Sequence, residues 1–183
     1  IPITTQAGEQ FTVVAIPYLR SDIARNESYS HGVGQILRQA TNRARELYPN
    51  NIIVMMAHMY AQGADIATCD ASERIVIGGQ EQVDIGNWPN HPDYLTCGHI
   101  HKRQHIWGTQ WARYTGSVLP MSFAEKNYTH GVDLVSFGAD RQAHVEQLIY
   151  TPQHRLRTLP ETDEALSVKK LEKLINTELS NRI

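Results

Sequence analysis

The chain has 183 residues, 41% of them hydrophobic and 20% charged, with a formal net charge of −2. That length supports one domain with a real core, and so small a charge gives no global field to draw the chain onto DNA or an anionic membrane. No apolar run approaches the roughly 20 residues that span a bilayer, and Cys69 and Cys97 form neither a C-x-x-C motif nor a disulfide framework, so a non-membrane, cytoplasmic protein with reduced thiols is expected.

The chain opens on Ile1-Pro2-Ile3-Thr4, with no initiator methionine and no basic-then-apolar leader, and is read as a processed product or a piece of something longer. Residues 11–16 are a β-branched run stopped by Pro17, which predicts a buried strand. Residues 21–29 read as loop. Over residues 33–47, Ile36, Leu37, Ala40, Ala44 and Leu47 follow helical spacing with Arg38, Arg43, Arg45 and Glu46 opposite. Residues 52–57 are all apolar, the pattern of a strand buried on both faces. A long polar excursion covers residues 63–74. Short extended segments are expected at 75–77 and 82–85, then a turn at 87–92. Strands are expected at 94–100, 104–108, 111–118, 131–137 and 144–150. Residues 161–181 read as a charged helix with a cap region at Thr162 and Asp163. Strand, helix, strand and then a run of strands is an α/β order with a mixed or sandwich-like sheet.

Of the nine histidines, His31, His91, His144 and His154 read as surface residues, and His105 and His130 as surface or substrate-facing. His58 directly follows the apolar strand, and sites in open α/β sheets gather at the carboxyl ends of strands. Gly98-His99-Ile100-His101 closes the strand-like run at 93–97. Side chains at i and i+2 of an extended segment lie on one side, roughly 6–7 Å apart. Such a pair holds either one metal or two adjacent ones. Histidines without cysteine suit Zn²⁺, Mn²⁺ or Fe²⁺ rather than a thiolate zinc site.

These residues carry a resemblance. Gly98-His99-Ile100-His101 resembles the last metal motif of the calcineurin-like metallophosphoesterases, and His58 resembles their preceding lone histidine. Arg113-Tyr114-Thr115-Gly116-Ser117, followed by Ser122-Phe123-Ala124-Glu125, resembles the Y-x-G-S and S-F-x-E segment of SbcD-type DNA repair nucleases within that superfamily. The Ile16-Pro17-Tyr18 turn also fits that group.

The resemblance implies a metallophosphoesterase-type β-sandwich flanked by helices, present as a partial domain. Residues 1–151 would be the C-terminal half of the nuclease domain and 152–183 the helical start of a capping region. It implies two divalent cations, usually Mn²⁺, in the intact protein, with His58 and His99 on one and His101 on the other. The D-x-H, G-D-x-x-D and G-N-H-D motifs have no match, so the histidine thought to act on the leaving group is missing. The chain alone is therefore expected to bind metal weakly or at one site, and to be inactive.

Lys102, Arg103, Arg113 and Lys126 are candidate phosphate contacts, with Tyr114 and Ser117 near the substrate groove, and Tyr114 reads equally as a core residue. The implied partners are DNA, an SbcC-type coiled-coil ATPase and a second copy of the full-length nuclease. The implied activity is phosphodiester hydrolysis in double-strand-break or hairpin processing. Another calcineurin-like phosphoesterase, or a non-catalytic scaffold on the same fold, are the rival readings.

Overall fold

The computed structural model describes residues 1–20, 22, 28–65, 82–162 and 165–180. The β-branched run forms β2 (Gln10–Ile16), paired antiparallel with a short β1 (Pro2–Thr4). Helix α1 (Tyr29–Leu47) starts earlier than its apolar periodicity indicates, because Ser28 caps it and accepts the His31 N–H at 3.2 Å. Next come β3 (Ile52–His58), β4 (Tyr94–Gly98), β5 (Gln104–His105) and β6 (Ala112–Tyr114). A 3-10 turn at Phe123–Glu125 precedes the hairpin of β7 (Gly131–Phe137) and β8 (Ala143–Ile149), and α2 (Val168–Ser180) closes the described chain.

The first six strands form one mixed sheet, ordered β1-β2-β3-β4-β6-β5. Its centre is parallel, β2 beside β3, β3 beside β4 and β4 beside β6. The fold is α/β. One face of the sheet is covered by α1, whose Val33, Leu37 and Tyr29 join Met55, Ala57, Leu95 and Cys97 in the core. The other face meets the hairpin, where the Phe11 and Phe137 rings approach with centroids 5.8 Å apart.

Several expectations are corrected. Strand β3 is not buried on both faces: Ile53, Met55 and Ala57 point under α1, while Met56 is 51% exposed. An unbroken apolar run hides this alternation. Residues 82–85 form no strand. Val83 and Ile85 are buried, but Val83 makes only an isolated bridge to Ala61. Strands β5 and β6 are shorter than expected because turns at Gly108 and Gly116, both with positive φ, interrupt them. Helix α2 begins at Val168, beyond the expected cap region; Thr162 is not helical, and Asp163 and residues 75–77 lie outside the described residues. Among the described residues no helix is long and apolar enough to cross a membrane.

Candidate metal centre

The four parallel strands run the same way, so their carboxyl ends share one sheet edge. His58 ends β3 and Gly98 ends β4, in register with each other. The two chain segments are close enough that a Cβ on Gly98 would lie 3.1 Å from His58 Nδ1. The glycine before the His-x-His pair is therefore the space in which the His58 ring sits.

The strand does not continue through the motif. It stops at Gly98, and His99 takes φ 106°, a backbone conformation that costs a non-glycine residue about 1–3 kcal/mol. The expected simple i, i+2 extended geometry is thus replaced by a bend. Ile100 enters the core at 2% exposure, while His99 and His101 remain partly exposed on either side of it. The His58 and His99 rings meet edge-on with centroids 5.4 Å apart, flanked by Tyr18 and Tyr60.

Burial pushes the His58 imidazole below its usual pKa, and the charge of His101 adds to this. Burial also lowers His99, helped by His58 and His101. Both rings are thereby favoured as neutral imidazoles with a lone pair to donate, the form that a metal needs.

His101 is held differently. Its Nδ1 lies 2.9 Å from Oε1 of Glu125, a side chain with 0% exposure. The other carboxylate oxygen of Glu125 accepts the Met121 N–H at 2.9 Å and lies 3.5 Å from the Ser117 hydroxyl. His130 completes this buried group, with Nε2 donating to the Glu125 carbonyl at 3.2 Å and Nδ1 3.2 Å from Ser117 Oγ. At 6% exposure His130 is an interior residue, which corrects its expected surface or substrate-facing place. Among the described residues no group of three His, Cys, Asp or Glu side chains is placed to hold an ion by itself. The donors present form a pair, His58 and His99, with His101 as a separate third.

The segment at 114–125 supports the chain next to His58 and at His101. Tyr114 is fully buried; its hydroxyl accepts the Ala61 N–H at 2.7 Å and donates to the Met59 carbonyl at 2.8 Å, fixing the turn just after His58. Ser117 N–H donates to the His101 carbonyl at 3.1 Å. Gly116 makes that contact possible. It has φ 78°, and a Cβ there would lie 2.8 Å from the His101 carbonyl oxygen and 2.9 Å from Arg103 N. Gly116→Ala is expected to cost about 2 kcal/mol or more in urea unfolding, because strain and a backbone clash combine.

The expected phosphate contacts divide. Tyr114 and Arg113 are interior, at 0% and 6% exposure. Arg113 lines a cavity of about 560 Å³ between the sheet and the hairpin, and Arg103 on its rim donates to Asp133 Oδ1 at 2.7 Å. Ser117 is turned into the Glu125 and His130 group. Lys102 and Lys126 are closer to solvent, paired with Asp65 and Thr158. Periodicity does not separate these cases, since it reports a strand's faces and not what lies across from them.

Comparison with known proteins agrees with the family resemblance. No family model matches the chain. The chain is 27% identical over 168 residues to the SbcD component of the SbcCD nuclease of Rhodobacter capsulatus, covering 85% of this chain and 41% of that protein. It is 31% identical over 146 residues to the same component in Escherichia coli K12, covering 73% and 36%. For the Bacillus subtilis counterpart the figures are 28% over 154 residues, 78% and 39%. The chain thus spans well under half the length of the curated relatives it matches.

Proposed function

This chain is of the SbcD type, and we propose that its sheet edge supplies part of the divalent-metal centre of a DNA-cleaving nuclease subunit. The observation that carries this is the edge-on approach of His58 and His99 at the carboxyl ends of adjacent parallel strands, with His101 as a separate third and burial lowering the pKa of the first two. The relatives it resembles are named as nuclease subunits. In this reading His58 and His99 ligate one cation and His101 the other, and Mn²⁺ suits an all-nitrogen and oxygen donor set.

Bound divalent cations would lower the pKa of a water and offset charge on the phosphate oxygens. The chain's own contribution is to position donors. His58 and His99 present neutral nitrogens, and Lys102 and Lys126 offer charge to the DNA backbone without reading sequence. The remaining ligands and the group acting on the leaving oxygen are supplied by the rest of the nuclease domain. Hairpin β7–β8 belongs in this reading to a second sheet, giving a two-sheet sandwich. Its exposed Val132, Leu134 and Leu148, with Met56 on β3, are the apolar surface that the rest of the sandwich covers. Residues 152–183 begin a separate helical capping region. The proposed substrates are DNA ends and hairpins, and the proposed partners are a coiled-coil ATPase subunit and a second nuclease copy.

Calorimetric titration with Mn²⁺ tests the metal reading. The 183-residue chain is expected to bind weakly at one site and to leave DNA intact. His58→Ala and His99→Ala are each expected to weaken binding more than about tenfold, the order of loss typical when a metal shell is disturbed. In the full-length protein, His99→Ala and His101→Ala are expected to abolish Mn²⁺-dependent DNA cleavage. Binding unchanged in all three histidine variants would overturn the proposal.

A further inference from the structure

We propose that Glu125 is the positioning residue for His101: it holds the proton on Nδ1 and so keeps the Nε2 lone pair for a metal. This rests on the proposed metal role of His101. Glu125 and His101 are 24 residues apart in sequence, and the fold brings them into direct contact.

The geometry points to one tautomer. Glu125 Oε1 lies 2.9 Å from His101 Nδ1, so the pair shares a hydrogen bond. The opposite oxygen accepts the Met121 N–H, and a backbone N–H only donates. Oε1 of an ionised carboxylate only accepts, so the hydrogen of this bond sits on Nδ1. In a singly protonated imidazole that leaves the lone pair on Nε2. Paired carboxylate and ligating imidazole groups orient the ring and raise its basicity in metal sites generally.

The carboxylate is itself firmly held. Its side chain has 0% exposure, its backbone carbonyl accepts from His130 Nε2, and the 3-10 turn at Phe123–Glu125 carries it. The main chain of His101 is held by the Ser117 N–H bond to its carbonyl. Main chain and side chain of His101 are thus each tied to the 114–125 segment.

Glutamine separates this role from simple packing. Its single carbonyl oxygen is needed by the Met121 N–H, so its NH₂ faces His101 Nδ1. That donor favours a lone pair on Nδ1 and moves the ring proton to Nε2, the nitrogen meant for the metal. Glu125→Gln keeps the volume and is expected to reverse the tautomer.

The experiment is nitrogen-resolved NMR of the metal-free full chain, which reads the His101 tautomer, with Mn²⁺ calorimetry on the same samples. Wild type is expected to show the Nδ1–H form. Glu125→Gln, folded by circular dichroism, is expected to show the Nε2–H form and to weaken binding by about 10–100-fold at the His101 site. Where the chain alone fills only the His58 and His99 site, the affinity arm is read on the full-length protein. An Nε2–H form in wild type, or an unchanged tautomer in Glu125→Gln, overturns the inference. If Glu125→Gln and Glu125→Ala both unfold, the wild-type tautomer decides alone. If His101→Ala binds Mn²⁺ like wild type, the metal reading of His101 fails, while the tautomer result still judges the Glu125 contact.

Discussion

Replacing Tyr114 with phenylalanine is expected to destabilise the chain by about 2–3 kcal/mol in urea unfolding. The ring still fills its place, so the loss is not a cavity effect. It comes from two backbone groups. The Tyr114 hydroxyl serves both the Ala61 N–H and the Met59 carbonyl, and both residues are buried, at 0% and 3% exposure. Removing one oxygen leaves a donor and an acceptor unsatisfied away from water. Those groups follow His58 directly, so Mn²⁺ affinity is expected to fall with stability. A Tyr114→Phe variant as stable as wild type would show that water replaces the hydroxyl and that the turn is held by other contacts.

Asp93→Ala is expected to cost a similar amount, about 2–3 kcal/mol, at the opposite end of the sheet. Asp93 Oδ2 accepts the Ile53 N–H at 2.7 Å and Arg141 Nη2 at 2.9 Å, and Oδ1 accepts Arg141 Nε at 3.1 Å. Arg45 stands 3.6 Å away on the other side. Arg141 lies in the β7–β8 turn and also donates to the Asn50 and Asn51 carbonyls, so one carboxylate ties hairpin, α1 and β3 together. The expected loss is smaller than for a fully buried pair because the Arg141 side chain is 36% exposed and water screens it.

Asp93 also fixes the sign of a pH dependence. Burial alone would raise its pKa, but the Arg141 hydrogen bonds, the Ile53 N–H and the nearby arginine charges outweigh it and hold the carboxyl below its usual value. The folded chain then releases this proton more readily than the unfolded one. The stability from Asp93 is fully present above the unfolded value of about pH 3.9, and is lost as pH falls through the lower folded value. Asp93→Asn is expected to be less stable than wild type at neutral pH, with the difference shrinking below about pH 4. A difference that stays constant through about pH 2 would place the stabilisation in shape rather than charge.

Much of the architecture is legible in residue order. The 3.6-residue period of Leu37, Ala40 and Ala44 marks α1, and the alternation of residues 131–137 coincides with β7. His58 and Gly98 stand at strand ends, where α/β sheets collect chemistry. The unbroken apolar run of β3 is less informative. It shows that a strand is present but not that one face stays open, because periodicity disappears when every position is apolar. Arg113 looks like an ordinary charged candidate near a motif and Tyr114 suits groove or core alike, and only their surroundings show that both are interior.

What the sequence by itself determined is therefore local. It set the α/β element order, the strand ends that carry His58 and the His99 and His101 pair, and the resemblance to SbcD-type proteins. Each of these depends on spacing over a few residues, which side-chain periodicity records. What only the tertiary structure decided is the support around those donors. Glu125 reaches His101 across 24 positions, Tyr114 reaches Met59 across 55, and Arg141 reaches Asp93 across 48. A hydrogen bond needs only that chain closure bring a donor to an acceptor. Such pairs have no period, and they become visible once the parallel strands have set their carboxyl ends side by side.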